Sequence, residues 1–225
     1  MLKAVIFDFD GVITDSETLH LRAFNETLET FGFKIETTDY YQKYLGLTDK
    51  DCFKTLIQEG RLALDENQVP ELISRKKLIY GALAASEGHV IAGVRPFLAL
   101  LDRHHITRAI CSGALEAEIR FTLKQAGLED GFAVIVAADH VTTGKPNPEG
   151  YLLTLQRLQA VVPDLRADHC VVIEDARWGL DAANVAGMHT LAVTNSYPAD
   201  QLGGAEKIVG SLDEVTLETL TTLCA

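Results

Sequence analysis

The 225-residue chain is 47% hydrophobic and 23% charged, the balance of a soluble globular protein, which excludes a disordered or collagen-like chain. Its 32 acidic residues outnumber 20 basic ones for a net charge of −12, so no broad binding to nucleic acid or to an anionic membrane is expected. No apolar run approaches the ~20 residues that span a bilayer, and the opening LKAVIFDFDG places two Asp where a signal peptide would be uncharged.

The length fits one large domain, or one domain with an insert, and buries enough surface to fold without disulfides or a structural metal. Cys52, Cys111, Cys170 and Cys224 are scattered and form no CxxC. They read as reduced, buried small hydrophobes of a cytoplasmic protein. A monomer is the default expectation.

In chain order, KAVIFDF at 3–9 predicts a strand ending at Asp8. Leu21, Phe24, Leu28 and Phe31 recur at helical spacing, with Asp15 or Ser16 placed to cap that helix, Glu17 in its first turn and Gly32 to stop it. Only helical patterns follow to about residue 88, including 51–58 and roughly 70–85. After Gly93 strands and helices alternate: strands at 107–112, 133–138, 169–175 and 189–194, with a short edge strand at 207–209. The helices between them lie at 115–126, 148–158 (Pro148 at its first position) and 179–186. Near-continuous apolar strands alternating with helices predict a doubly wound, Rossmann-like α/β parallel sheet. The core then comprises residues 1–15 and 89–225, with an inserted helical domain at 16–88.

In such sheets ligands bind at the carboxyl ends of the strands. The first strand ends in Asp8-Phe9-Asp10-Gly11, the next in Ser112-Gly113, and the strand at 169–175 in Glu174-Asp175. Gly144-Lys145-Pro146 follows the strand at 133–138. Four carboxylates on one edge repel one another, and a hard cation such as Mg²⁺ relieves this through oxygen ligands. Ser112 and Lys145 add donors and positive charge for an anion. Mg²⁺ beside an anion cradle is the apparatus of phosphoryl transfer, with Asp8 as nucleophile and Asp10 in reach of the leaving oxygen as general acid/base.

Four motifs in order, D-x-D-G-V-I-T-D at 8–15, S-G at 112–113, G-K-P-x-P at 144–148 and E-D at 174–175, resemble those of the haloacid dehalogenase superfamily. The stretch GVITDSETLHLRAFNETL is most similar to its β-phosphoglucomutase-like branch, which carries a small helical cap after the first strand. The resemblance implies Asp8 as nucleophile and Asp10 as acid/base. It implies Mg²⁺ held by Asp8, the Asp10 backbone carbonyl and Asp175, with Glu174 in the outer shell, and a phosphoryl group held by Ser112, Gly113 and Lys145. It further implies that His20 steadies Asp10, that Lys76 is a substrate-side lysine of the cap, and that the cap closes over the site and selects the substrate. An Asp at position 10 also separates the chain from the dehalogenases and phosphonate hydrolases of the superfamily and favours an oxygen leaving group. Mutases of the branch carry a phosphate-gripping Arg in G-x-x-R, whereas this chain has Gly46-Leu47-Thr48-Asp49. A carboxylate there repels a second phosphate, so the reading is a phosphatase of a small phosphorylated metabolite, a sugar phosphate foremost. A sugar-phosphate mutase is the alternative, and a non-catalytic phosphometabolite sensor a distant one.

Plainer readings stand beside these. Glu174-Asp175 and Ser112 could serve as helix N-caps, and Lys145 as a surface lysine. His20 could lie on a polar helix face, while Arg75-Lys76-Lys77 reads first as a solvated face and second as a substrate grip. His104-His105 read as surface. Trp178 reads as packed at a helix start beside Asp175, and Cys111, opposite in direction to Ser112, as core.

Overall fold

The computed structural model describes residues 1–15, 17–87 and 90–225, with backbone alone for 85–87. The elements are β1 (Ala4–Phe7), α1 (Glu17–Leu28), α2 (Thr37–Asp39) continued by a π-helical turn at Tyr40–Tyr44, α3 (Asp49–Gln58) and α4 (Val69–Glu87). Then come α5 (Val94–Arg103), β2 (Thr107–Cys111), α6 (Glu116–Ala126), β3 (Val134–Val136), α7 (Glu149–Gln159) and β4 (Cys170–Glu174). The chain finishes with α8 (Arg177–Val185), β5 (His189–Val193), β6 (Lys207–Val209) and α9 (Leu217–Leu223). It divides into two compact units, Met1–Asp15 with His89–Ala225, and Ser16–Gly88.

The first unit holds a six-stranded parallel sheet in the order β3-β2-β1-β4-β5-β6. The order reverses between β1 and β4, which makes their carboxyl ends the switch point of a doubly wound sheet. Side chains alternate across the sheet as period two demands. Val5 and Phe7 join Ile110, Ile173 and Leu191 on the face covered by α5, α6 and α9. Ala4 and Ile6 join Ala109, Cys111 and Val172 on the face covered by α7 and α8. Burial on both faces accounts for the unbroken apolar strands.

The second unit is helical throughout its described residues. Leu21, Phe24 and Leu28 of α1 pack with Tyr40, Tyr44, Phe53, Leu56 and Leu72. Leu19 and Ala23, also of α1, meet Leu83 and Ala84 of α4. Phe31 departs from the expected stripe: α1 ends at Leu28, a 3₁₀ turn carries Phe31 out to solvent, and Gly32 (φ 68°) closes that turn in the left-handed region. Ser16, one of the two expected caps of α1, lies outside the described residues.

Three further departures concern the helices. α5 and α9 are additional to the predicted elements, α8 begins at Arg177 rather than at 179, and Pro148 occupies the cap position before α7 rather than its first turn.

Candidate active site

Strand register assembles the site. Phe7 pairs with Ile173 across β1 and β4, and the Asp8 amide continues the ladder by donating to the Ile173 carbonyl at 2.9 Å. Asp8 and Glu174 therefore leave the sheet side by side, with Asp175 one residue further. On the other flank, Phe7 pairs with Ile110, and Ser112 follows β2 with its amide bonded to the Val136 carbonyl at 3.0 Å.

Lys145, on the loop before α7, closes the group. Its ammonium donates to Asp8 Oδ1 at 2.5 Å, to Glu174 Oε1 at 2.6 Å and to the Cys111 carbonyl at 2.9 Å, so all three protons are placed. Tyr151 of α7, which was not among the expected residues, donates to the same Glu174 Oε1 at 2.6 Å, and its ring lies 5.0 Å from the Lys145 nitrogen. Ser112, Gly113, Gly144 and Lys145 line a cavity of about 170 Å³. The Ser112 hydroxyl accepts from the Ala114 amide at 3.0 Å. Ser112 is thus not the N-cap of α6, a position held by Leu115, and Asp175 is not the cap of α8, which is Ala176.

Two glycines make room for the acids. A Cβ on Gly179 would fall on the Glu174 carboxylate, and one on Gly11 would fall on that of Asp175. Gly11 also adopts φ 77°, a conformation that L side chains resist. Asp175 Oδ2 accepts a hydrogen bond from Ser196, and Asn195 donates to the Gly11 carbonyl at 2.7 Å.

The electrostatics of this cluster are unbalanced. Burial, and then the charges of Glu174, Asp175 and Asp10, push the Asp8 carboxyl well above the usual range, against the pull of Lys145. Burial and Glu174 push Asp175 up to about 8, while the Ser196 hydrogen bond opposes the rise. Burial disfavours the charged form of Lys145, yet Asp8 and Glu174 outweigh it and hold the ammonium firmly protonated. One ammonium cannot neutralise this many acids in a dry site. Oxygens of Asp8, Glu174 and Asp175 lie within 4.8 Å of one another, in space that two glycines leave open. An all-oxygen, over-acidic donor set of this kind fits a hard divalent cation of the Mg²⁺ type. A second acidic group, Glu116, Asp139 and His140, differs because its members already have partners: Glu116 binds Arg120, and His140 binds both Glu116 and Arg157.

Of the expected residues, Asp8, Ser112, Gly113, Lys145, Glu174 and Asp175 come together. Asp10 sits in the following turn, bridged to Thr14, close enough for its charge to act on both Asp8 and Asp175. His20 and Lys76 belong to the helical unit and meet each other there. The Lys76 ammonium donates to Asp49 Oδ1 at 2.7 Å and to His20 Nδ1 at 2.6 Å, over the Phe24 and Tyr80 rings. Burial and Lys76 push His20 down to about 3, so its imidazole is neutral.

The solvated reading of the basic run holds for Arg75 and Lys77 but fails for Lys76, which is 1% exposed. It lies on the inward face of α4 with Leu72, Tyr80 and Leu83. Trp178 also departs from its expected packing. It is 39% exposed and meets Tyr197 edge-on at 5.5 Å. His104 and His105 are exposed, and all four cysteines are buried free thiols, Cys111 in the sheet core.

Known proteins resemble this chain along most of its length. A phosphorylated carbohydrates phosphatase of Thermotoga maritima is 32% identical over 84% of this chain and 84% of its own. A β-phosphoglucomutase of Bacillus subtilis is 28% identical over 97% and 94%. Among solved structures, CbbY from Rhodobacter sphaeroides in complex with phosphate superposes with a TM-score of 0.82 at 25% identity, covering 98% of this chain and all of the other. No helix among the described residues is long and apolar enough to cross a membrane. The haloacid dehalogenase-like hydrolase pattern matches residues 5–193, which span β1 to β5, and the chain is an enzyme of that family.

Proposed function

We propose that the chain is a Mg²⁺-dependent phosphatase that passes the phosphoryl group of a small phosphorylated carbohydrate through Asp8 to water. The observation that carries this reading is the contact of Asp8 with Lys145 beside Glu174 and Asp175, at the switch point of the sheet. A strand-end carboxylate has little freedom to move, which suits a nucleophile that must meet phosphorus in line.

In the first step an Asp8 carboxylate oxygen forms the bond to phosphorus as the ester P–O bond breaks, and Asp10 gives its proton to the departing oxygen. In the second, Asp10 takes a proton from water as that water attacks phosphorus and the Asp8 carboxylate leaves. Lys145 and the Ser112–Gly113 turn bind the phosphoryl oxygens. Asp8, Asp175 and the Asp10 backbone carbonyl would hold Mg²⁺, with Glu174 behind them. Bound there, the cation supplies positive charge against which Asp8 stays ionised and the phosphoryl charge is stabilised.

The carbohydrate assignment draws on the Thermotoga relative, and the Bacillus mutase gives the second reading its support. Asp49 supports the phosphatase reading over the mutase. It stands where the resemblance expects a phosphate-gripping Arg, and it cancels the charge of Lys76. The same proposal takes the enzyme as a cytoplasmic monomer, in keeping with four unpaired thiols.

The test is phosphate release from a panel of hexose, pentose and polyol phosphates with Mg²⁺ or with EDTA. It includes a hexose 1-phosphate given with its bisphosphate. Mg²⁺-dependent release supports the phosphatase, isomerisation without free phosphate supports the mutase, and silence across the panel with retained binding points to a sensor.

A further inference from the structure

We infer that Asn195 and Ser196, on the loop after β5, are positioning residues that set the cation site from behind, an inference that rests on the reading of that site given above. β5 runs beside β4 with Glu174 opposite Ala192, so the chain leaving β5 passes Asp175 within a few residues. There the Ser196 hydroxyl donates its one proton to Asp175 Oδ2. That bond fixes the rotamer of a carboxylate that has an oxygen in the Asp8–Glu174–Asp175 cluster. Asn195 Nδ2 donates to the Gly11 carbonyl at 2.7 Å, which fixes the left-handed turn directly after Asp10. One dipeptide thereby ties the end of β1 to the end of β4, across 184 and 21 residues of chain.

The loop is itself held at both ends. The Thr194 amide bonds the Val209 carbonyl of β6 at 3.1 Å, and Tyr197 packs edge-on to Trp178. Packing at Gly11 is part of the same device. A Cβ there would meet the Ser196 oxygen at 2.7 Å as well as the Asp175 carboxylate, so the three residues interlock only because position 11 has no side chain. A carboxylate ligand otherwise samples several rotamers, and hydrogen bonds that hold ligands in place govern metal affinity as strongly as some ligands do.

The test is calorimetric Mg²⁺ titration of the whole protein, alongside the Mg²⁺ dependence of kcat and a thermal melt. Ser196→Ala should weaken Mg²⁺ binding by roughly 10-fold or more, with kcat largely recovered at saturating Mg²⁺. Ser196→Thr, which keeps the hydroxyl, should restore most of the affinity. Asn195→Ala should weaken binding less, and the double variant should fall short of the two losses combined, because both act on one site. Unchanged Mg²⁺ affinity in folded Ser196→Ala and Asn195→Ala, with Mg²⁺ bound normally by the wild type, overturns the inference alone. So does loss of affinity in Ser196→Thr as deep as in Ser196→Ala. A wild-type protein that binds no Mg²⁺ overturns the reading of the site and the inference with it.

Discussion

Each unit sets a lysine among polar partners, and the two surroundings differ in net charge. Lys145 faces two carboxylates, with a third and fourth nearby, and its charge falls short of theirs. Lys76 faces one carboxylate, one neutral imidazole and two aromatic rings, and its charge is matched. A matched pair carries no excess charge. An outnumbered lysine leaves excess acid that must take up protons or a cation, and that is a place for chemistry. On the proposed reading, the core site is therefore the place for Mg²⁺ and phosphate, while Lys76 and Asp49 offset each other in the helical unit.

The strongest way to break this contrast is to delete charge from the core site. Asp8→Asn should lower kcat by roughly 10⁴-fold or more, as removal of a nucleophile does. The melting temperature of the metal-free variant should hold or rise, because one of the repelling acids is gone; a large fall in stability would mean that Asp8 is structural. Lys145→Met acts in the opposite direction. It strands two buried carboxylates, so a loss of about 3–5 kcal/mol by denaturant titration is expected, together with turnover.

Lys76→Met should cost less, about 1–3 kcal/mol, since Asp49 is partly open to water and its exposed charge rehydrates. With the neighbouring ammonium gone, His20 should titrate above its present value of about 3, which NMR of the imidazole would record.

The smallest effect is in pH. His20 is held below its ordinary 6.5, so the stability that goes with its neutral form is complete above pH 6.5 and lost as pH falls toward 3. Asp175 is held at about 8 against an ordinary 3.8, so the folded protein binds the extra proton and stability is lost as pH rises through that interval. Between pH 6.5 and 8 His20 adds no slope, Asp175 lowers stability as pH rises, and the raised Asp8 carboxyl acts in the same direction. There the metal-free protein should lose on the order of 1–2 kcal/mol, a few degrees of melting temperature. Millimolar Mg²⁺ should flatten or reverse the loss. A metal-free melt that is level across this window would remove the case for an over-acidic site.

The strands of the core were legible because parallel strands buried on both faces carry almost continuous apolar runs, as in AVIF and CVVIE. α5 escaped because Pro96 reads as a helix breaker, yet it falls in the first turn, where its missing N–H would have no partner. α9 has only seven residues, three of them Thr, whose helix preference is weak. Lys76 was hidden by its basic neighbours, although Leu72, Lys76, Tyr80 and Leu83 share one helical stripe, and that spacing was there to be used.

Asp8, Ser112, Glu174 and Asp175 were readable because each stands at or just past a strand end, and Lys145 because it lies in the loop that follows β3. The same rule applied to β5 would have reached Asn195 and Ser196. Tyr151 carried no such signal: on α7 it looks like any core aromatic until the fold sets its hydroxyl on Glu174.

The most direct measurement is chemical trapping of the phosphoenzyme. The protein is mixed with a phosphate ester that it turns over, quenched in acid and reduced with borohydride, which converts an aspartyl phosphate to homoserine. The account predicts homoserine at residue 8, formed with substrate and Mg²⁺ together and not when EDTA is present. Steady phosphate release with residue 8 still an unmodified Asp, or with the label on another side chain, would contradict it.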